Sequence, residues 1–429
     1  MSVALPPDGK GARARPRVGL ACSDAVRRTY VGPADVSRLQ QVADFVHRPF
    51  DVPGGLSAVP RDRAAETALA GFAADLDALI VCHGAPFVSA EVLAAAPRLR
   101  FVGELEGDRF GYHFDIEAAA AAGVKVVDTT HGSSWPTAEW ALALALVGLR
   151  NAGEYFRRMI AHQPGFPGGI RPRSGPGFDG AELTAKRVGM IGFGHVGRRL
   201  AELLAPFRTE IVAYDPFAPR ELAAAYGIAF ASLQRVLDAD VVWCLVPLTP
   251  GTRGMLGAEQ LELLRPGSVF VNVSRGAVVD SGALVARLRR GDLTACLDVF
   301  DPEPVPLDSP ILDLPNVFVS PHVGGVTDES RRRFFELMVG DLLRHFDGLE
   351  PLAELTPRVV ALRNSGREDS PSGTVAAGLA PVAGPESRSG PVPVAGPVAA
   401  GPVAGGPVTA GPLAGGPVTA GGGATVSVG

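Results

Sequence analysis

The sequence predicts an α/β protein made of two doubly wound parallel sheets with a cleft between them, followed by a disordered C-terminal tail. Three observations carry this. Short apolar runs alternate with helical stretches along most of the chain, as they do where parallel strands are buried on both faces. The alternation comes in two series separated by a long apolar helix. The chain has 429 residues, 46 % hydrophobic and 20 % charged, enough for two globular cores.

In chain order, an arm from Met1 to Arg17 mixes Pro, Gly, Lys and Arg and lacks the apolar stretch of a secretory signal. The first series has strands at Arg17–Ala21, Leu76–Val81, Leu99–Val102 and Val124–Val127. Thr137–Asn151 is apolar enough for a helix buried on most sides, with Pro136 suited to its first turn, and the chain crosses between domains there. Gln163–Gly180 is crowded with Gly and Pro and predicts an irregular loop, an arm or a lid. The second series has strands at Val188–Ile191, Glu210–Tyr214, Val241–Val246, Ser268–Val273, Ala295–Val299 and Val317–Ser320. A last helix, Thr327 to about Asp347, lines Phe334, Leu337, Met338, Leu342 and Phe346 along one face and returns to the first domain.

After Asn364 the composition changes. A Gly-Pro step recurs every five residues from Gly396 to Gly416, and no charge follows Arg388. A triple helix needs Gly at every third position, so this predicts a flexible appendage. The expected limits are 1–133 for the first domain, completed by 326–360, 134–325 for the second, and 364–429 for the tail.

A net charge of only -5 gives no electrostatic footprint for nucleic acid or an anionic membrane. The longest apolar run, Trp140–Leu149, falls short of the roughly 20 residues that span a bilayer. Cys22, Cys82, Cys244 and Cys296 stand apart in apolar surroundings without a C-x-x-C pair, and so predict buried reduced thiols and no metal site. A cytoplasmic protein acting on a small molecule is the expectation.

The strongest local signal is Gly192-Phe193-Gly194-His195-Val196-Gly197, set directly after a strand and opening a helix. Gly192 allows the tight turn, Gly194 lets the backbone approach a pyrophosphate, and Gly197 lets the helix pack on the strand. The helix N-terminus then offers amides to the anion. Asp215 ends the next strand where an acidic side chain accepts from the adenine ribose hydroxyls, and no basic residue adjoins it. Together these predict NAD in a Rossmann-like domain, with Gly192, Gly194, His195, Val196, Gly197 and Asp215 as its contacts.

Three later segments also end strands of the second series: Val273-Ser274-Arg275-Gly276, Phe300-Asp301-Pro302-Glu303-Pro304 and Ser320-Pro321-His322-Val323-Gly324-Gly325. With Leu183-Thr184-Ala185-Lys186, Pro247-Leu248-Thr249-Pro250, Asn272 and Asp298-Val299-Phe300, they form an ordered set. In this set the chain resembles the D-isomer-specific 2-hydroxyacid dehydrogenases, over about Leu79 to Gly348. The resemblance implies hydride transfer between NAD and C2 of a small D-2-hydroxy or 2-oxo acid, with 1–133 and 326–360 as a flavodoxin-like substrate-binding domain, 134–325 as the NAD-binding domain, and a homodimer built on the latter. It implies Arg275 at the substrate carboxylate and carbonyl, His322 as general acid and base, and Glu303 fixing the imidazole. It adds Pro247, Thr252, Val273, Ser274, Asp298 and Gly324 to the cofactor contacts, with Asp298 toward the carboxamide. The alternatives are a non-catalytic NAD-sensing scaffold and a formate- or phosphite-type dehydrogenase; a formate enzyme would carry Gln in place of Glu303.

Two stretches depart from the family pattern. Where a short Gly-rich loop would grip the substrate carboxylate with backbone amides, this chain reads Gly103-Glu104-Leu105-Glu106-Gly107-Asp108-Arg109-Phe110-Gly111. Glu104 and Glu106 there would repel a phosphate or second carboxylate. Arg109 is either a second carboxylate clamp or paired with Asp108 or Glu106. In Thr129-Thr130-His131-Gly132-Ser133-Ser134-Trp135-Pro136, Trp135 either walls the pocket or packs in the core, and His131 either meets substrate or does not.

Overall fold

A computed structural model describes residues 15–53, 59–165 and 181–364. The N-terminal arm, most of the Gly/Pro-rich loop and the tail, with the expectations for them, lie outside the described residues.

Strands β1 (Arg17–Cys22), β2 (Asp44–Pro49), β3 (Ala78–Val81), β4 (Phe101–Glu104) and β5 (Lys125–Asp128) form one sheet in the order β2-β1-β3-β4-β5. A second sheet contains β6 (Arg187–Ile191), β7 (Glu210–Tyr214), β8 (Ala229–Phe230), β9 (Val241–Cys244), β10 (Val269–Asn272), β11 (Thr294–Leu297) and β12 (Val317–Val319). Its order is β12-β11-β10-β9-β6-β7-β8, and the strand pairings of both sheets are parallel. The predicted architecture is therefore present, with two strands the sequence did not announce. β2 is an edge strand, Asp-Phe-Val-His-Arg-Pro, exposed at its ends and lacking an apolar run. β8 has two residues, too few for any periodicity to register.

The helix Ser134–Leu149 begins three residues before the predicted start and keeps Pro136 in its first turn. Its Ala138, Ala141, Leu144 and Ala145 join Val269, Val271 and Cys296 in the core of the second sheet. The Trp243 indole donates to the Ala141 carbonyl at 2.8 Å, so even this fully buried ring has its polar atom satisfied.

The helix Asp328–Phe346 starts with a capping box in which Thr327 and Ser330 each accept the other's backbone amide. It lays Phe334, Phe335, Met338 and Leu342 against Leu20, Phe101 and Val127 of the first sheet. Complete burial of each of these phenylalanines contributes roughly 1.5–3 kcal/mol. The two passages of chain between the sheets touch. Thr129 Oγ1 donates to the Phe334 carbonyl at 3.0 Å, and Arg333 donates to the Gly132 carbonyl at 3.0 Å. A Cβ on Gly132 would stand 2.7 Å from the Phe334 ring.

All four cysteines are free and buried, as expected, and burial pushes the Cys244 thiol up to about 11. Among the described residues no helix is long and apolar enough to cross a membrane.

Candidate active site

In the second sheet β6 lies between β7 and β9, so the chain leaves β6 toward one side and returns on the other. A crevice opens at the strand ends of such a switch point, and the glycine run sits there. Gly192 has φ +96°, a value that favours glycine. A Cβ on Gly197 would lie 2.9 Å from the Gly192 carbonyl oxygen, so the helix His195–Leu204 can seat on the turn only without one. Beyond Gly194 and its two chain neighbours, no atom lies within 4 Å of where a Cβ on Gly194 would be, and no side chain caps the helix. That open face before an uncapped N-terminus fits a pyrophosphate.

Asp215 lies beside this loop. It accepts from the Phe193 amide at 2.8 Å and from the amides of Phe217 and Ala218 at 2.9 and 3.0 Å. It shapes the turn and ties β7 to the glycine loop together. Pro247 and Thr252 also lie at the strand ends, after β9, but the Thr252 hydroxyl donates to the Pro247 carbonyl at 2.6 Å and so helps to close that turn. Val273 and Ser274 follow β10. The Ser274 hydroxyl points into the protein, 3.2 Å from Cys244 Sγ.

The expected catalytic side chains come from the ends of the neighbouring strands β10, β11 and β12. Asn272 accepts from the Ser274 amide at 3.0 Å and donates to the Arg275 carbonyl at 3.2 Å, bracing the bend that presents Arg275. Gly276 permits the close packing beside it, since a Cβ there would fall 1.9 Å from the Phe300 carbonyl carbon. His322 has φ +54°, in the left-handed region, and its amide donates to the Asp298 carbonyl at 2.8 Å. His322 Nδ1 is hydrogen-bonded to Glu303 Oε1, while Glu303 Oε2 accepts from the Phe300 amide at 3.2 Å. The imidazole thus keeps its Nε2 edge for a ligand.

Asp298 is 1 % exposed and holds the strand ends together. It accepts from Trp140 Nε1 at 3.2 Å, the Val323 amide at 3.1 Å, the Gly324 amide at 2.9 Å and the Ser320 hydroxyl. Ser320 opens a segment singled out in the sequence, though not as a partner of Asp298, and Trp140 was not anticipated at all. Nothing in their sequence spacing links them to Asp298, from which Trp140 is 158 positions away.

The acidic loop after β4 differs from its sequence reading. Glu104 and Glu106 are 0 % and 7 % exposed and do not line an open surface. Glu104 meets His113, and Glu106 takes the Tyr30 hydroxyl at 2.5 Å and His83 Nε2 at 3.1 Å. The bond to Glu106 holds the His83 imidazole above its usual range. Arg109 turns to β5, its amide bonding Asp128 Oδ2 at 2.8 Å and its guanidinium the Asp128 carbonyl at 2.7 Å. Asp108 is the carboxylate that reaches the second sheet: both its oxygens accept from Arg275 Nη2, at 2.6 and 2.5 Å.

Trp135 is half-buried rather than a core residue, and the guanidinium groups of Arg199 and Arg333 lie over its ring at 4.5 and 4.7 Å. His131 stacks on His195 of the glycine loop with ring centroids 4.7 Å apart, and its buried Nδ1 has no hydrogen-bond partner. Burial, and next Arg109, push His131 down to about 4.

A sheet-end crevice with a glycine loop, an arginine and a His–Glu pair places this fold among two-lobed dinucleotide-binding proteins. Residues 142–324 match the family described as D-isomer specific 2-hydroxyacid dehydrogenase, NAD binding domain. A glyoxylate reductase of Pyrococcus furiosus is 32% identical over 320 residues, which are 72% of this chain and 89% of that protein. The chain belongs to the D-isomer specific 2-hydroxyacid dehydrogenase family. A D-3-phosphoglycerate dehydrogenase of Mycobacterium leprae is 39% identical over 264 residues, 60% of this chain and 47% of that protein. The chain thus spans about half the length of the phosphoglycerate dehydrogenases it matches. Among solved structures, a phosphoglycerate oxidoreductase from Rhizobium etli superposes with a TM-score of 0.64 at 25% identity, covering 79% of this chain and 98% of that one.

Proposed function

We propose that this protein is an NAD-dependent oxidoreductase that interconverts a small D-2-hydroxy acid and its 2-oxo acid. The observation that carries the proposal is the His322–Glu303 pair and Arg275 rising from neighbouring strand ends of the sheet that also bears the glycine loop. Residues 1–133 with 326–360 would form the substrate-binding domain and 134–325 the NAD-binding domain. Two copies of the chain would join through the latter.

The cofactor would lie along the crevice. Its pyrophosphate would meet the amides of the helix that starts at His195, its adenine ribose Asp215, and its nicotinamide the strand ends held by Asp298. When bound it supplies or accepts the hydride at C2. Arg275 orients the substrate by its carboxylate and polarises the carbonyl. In reduction His322 delivers a proton from Nε2 to the carbonyl oxygen, and in oxidation it removes that proton. Glu303 fixes the ring and offsets the charge of the imidazolium.

The test is NADH oxidation with glyoxylate, hydroxypyruvate, pyruvate and bulkier 2-oxo acids, on the wild type and on His322→Gln. Turnover of at least one acid is expected, with kcat at least about 100-fold lower in the variant and NADH affinity within about twofold. No turnover across the panel, or near-normal turnover by the variant, would sink the proposal.

A further inference from the structure

Arg275, read above as the residue that holds the substrate carboxylate, already holds a carboxylate of this chain. We propose that Asp108 is a specificity-determining residue that competes for Arg275, so that a substrate binds only by displacing it. The proposal rests on the role given to Arg275.

The loop is constructed to present this side chain. Asp108 and Arg109 are successive non-glycine residues at φ +55° and +62°, a conformation L-residues rarely adopt. They are held in it from both sides. The Gly107 amide donates to Thr130 Oγ1 at 2.7 Å, the Arg109 amide to Asp128 at 2.8 Å, and the Phe110 amide to the Gly107 carbonyl at 3.1 Å. Amides that a Gly-rich loop would aim at a bound carboxylate are therefore spent within the protein. Upstream, Glu106 is anchored by Tyr30 and His83. A Cβ on Gly107 would lie 2.0 Å from the Glu104 carboxyl carbon, so the chain between the anchors passes close over a buried side chain. Asp108 remains as the portion of the loop that faces the second sheet.

The pair is placed to exchange. The Arg275 and Asp108 side chains are 29% and 20% exposed, and a partly solvated pair yields to a competing ligand at modest cost. Arg275 Nη1 donates to the Ser274 carbonyl at 2.7 Å, which keeps the guanidinium in place when Asp108 leaves. Charge then selects the substrate. Before binding, Arg275 is paired with Asp108 and His322 with Glu303, so neither of these two groups presents an unpaired positive charge to a dianion. After displacement, the freed Asp108 carboxylate stays nearby on its braced loop and opposes a second negative charge more than a first. The substrate class this favours is a 2-oxo or 2-hydroxy acid with a single carboxylate and an uncharged remainder.

The experiment measures binding of oxamate, a singly charged 2-oxo-acid analogue, and of the dianion tartronate to the enzyme–NADH complex, by quenching of NADH fluorescence. Wild type, Asp108→Asn, Asp108→Ser and Arg275→Met are compared at matched NADH saturation. If Asp108 occupies Arg275 about nine-tenths of the time, both Asp108 variants should bind oxamate about tenfold more tightly, with a larger gain for tartronate. Unchanged or weaker oxamate binding in both Asp108 variants, with binding lost in Arg275→Met, overturns the competition and leaves the role of Arg275 standing. Wild-type oxamate affinity in Arg275→Met instead overturns the assignment of Arg275, and the proposal with it. The two Asp108 variants differ in size and polarity, so a common gain cannot come from local misfolding.

Discussion

Asp215 and Asp298 both end strands of the nucleotide sheet, and their surroundings assign them different work. Asp298 is buried, and four donors fix its orientation, so its contribution is to hold β11, β12 and the helix of Trp140 in one arrangement. Asp215 is half-buried and keeps acceptor capacity beyond its three amide partners, as a ribose ligand needs. Asp215→Ala should therefore relax the preference for NAD over NADP by about tenfold or more, the loss of one or two charge-assisted hydrogen bonds. Steady-state kinetics with both cofactors would show it, and an unchanged ratio would remove Asp215 from the ribose site. At this scale the sequence made positions legible where a motif follows a strand: Arg275, Glu303 and His322 do stand beyond the ends of β10, β11 and β12, and their catalytic roles belong to the proposal. The sequence offered Asp108 as a partner for Arg109, whereas Asp108 pairs with Arg275, 167 positions away, and it misdirected attention to Glu104 and Glu106, whose partners His113, His83 and Tyr30 no spacing rule connects to them.

Strands with an apolar run could be read from sequence because burial on both faces leaves little choice of residue. The edge strand β2 and the two-residue β8 could not, since neither imposes a pattern on the chain. The segment between β5 and the helix Ser134–Leu149 shows a further kind of information absent from sequence, the stack of His131 on His195. In the unfolded chain a histidine titrates near its ordinary value of 6.5, whereas folded His131 is held down at about 4. Between those values the unfolded chain binds a proton that the native state refuses, so this residue makes stability fall as pH drops through the window and adds no slope above it. His131→Phe keeps a ring against His195 and removes the titration. Its melting temperature should decline less than that of the wild type between pH 7 and pH 4.5; parallel declines would show that His131 is not the buried neutral ring described.

For the whole molecule, the helix Ala152–Ile160 leaves Phe156, Met159 and Ile160 62%, 64% and 61% exposed on the nucleotide-binding side of the chain. Such a group of large apolar side chains suits the copy-to-copy contact the family resemblance implies. Light scattering should find two chains per particle, and one for a Phe156→Glu, Met159→Glu double variant; a single-chain wild type would reject the contact. A second property of the whole follows from the touching passages at Gly132 and Phe334. A body joined to another at two adjacent points, like a door on one jamb, can swing but cannot slide or twist freely. Angular changes at Thr129, Gly132 and Gly325 that drew the strand ends of the two sheets apart would also have to part Asp108 from Arg275 and His131 from His195, while each lobe kept its own packing and neither had to unfold.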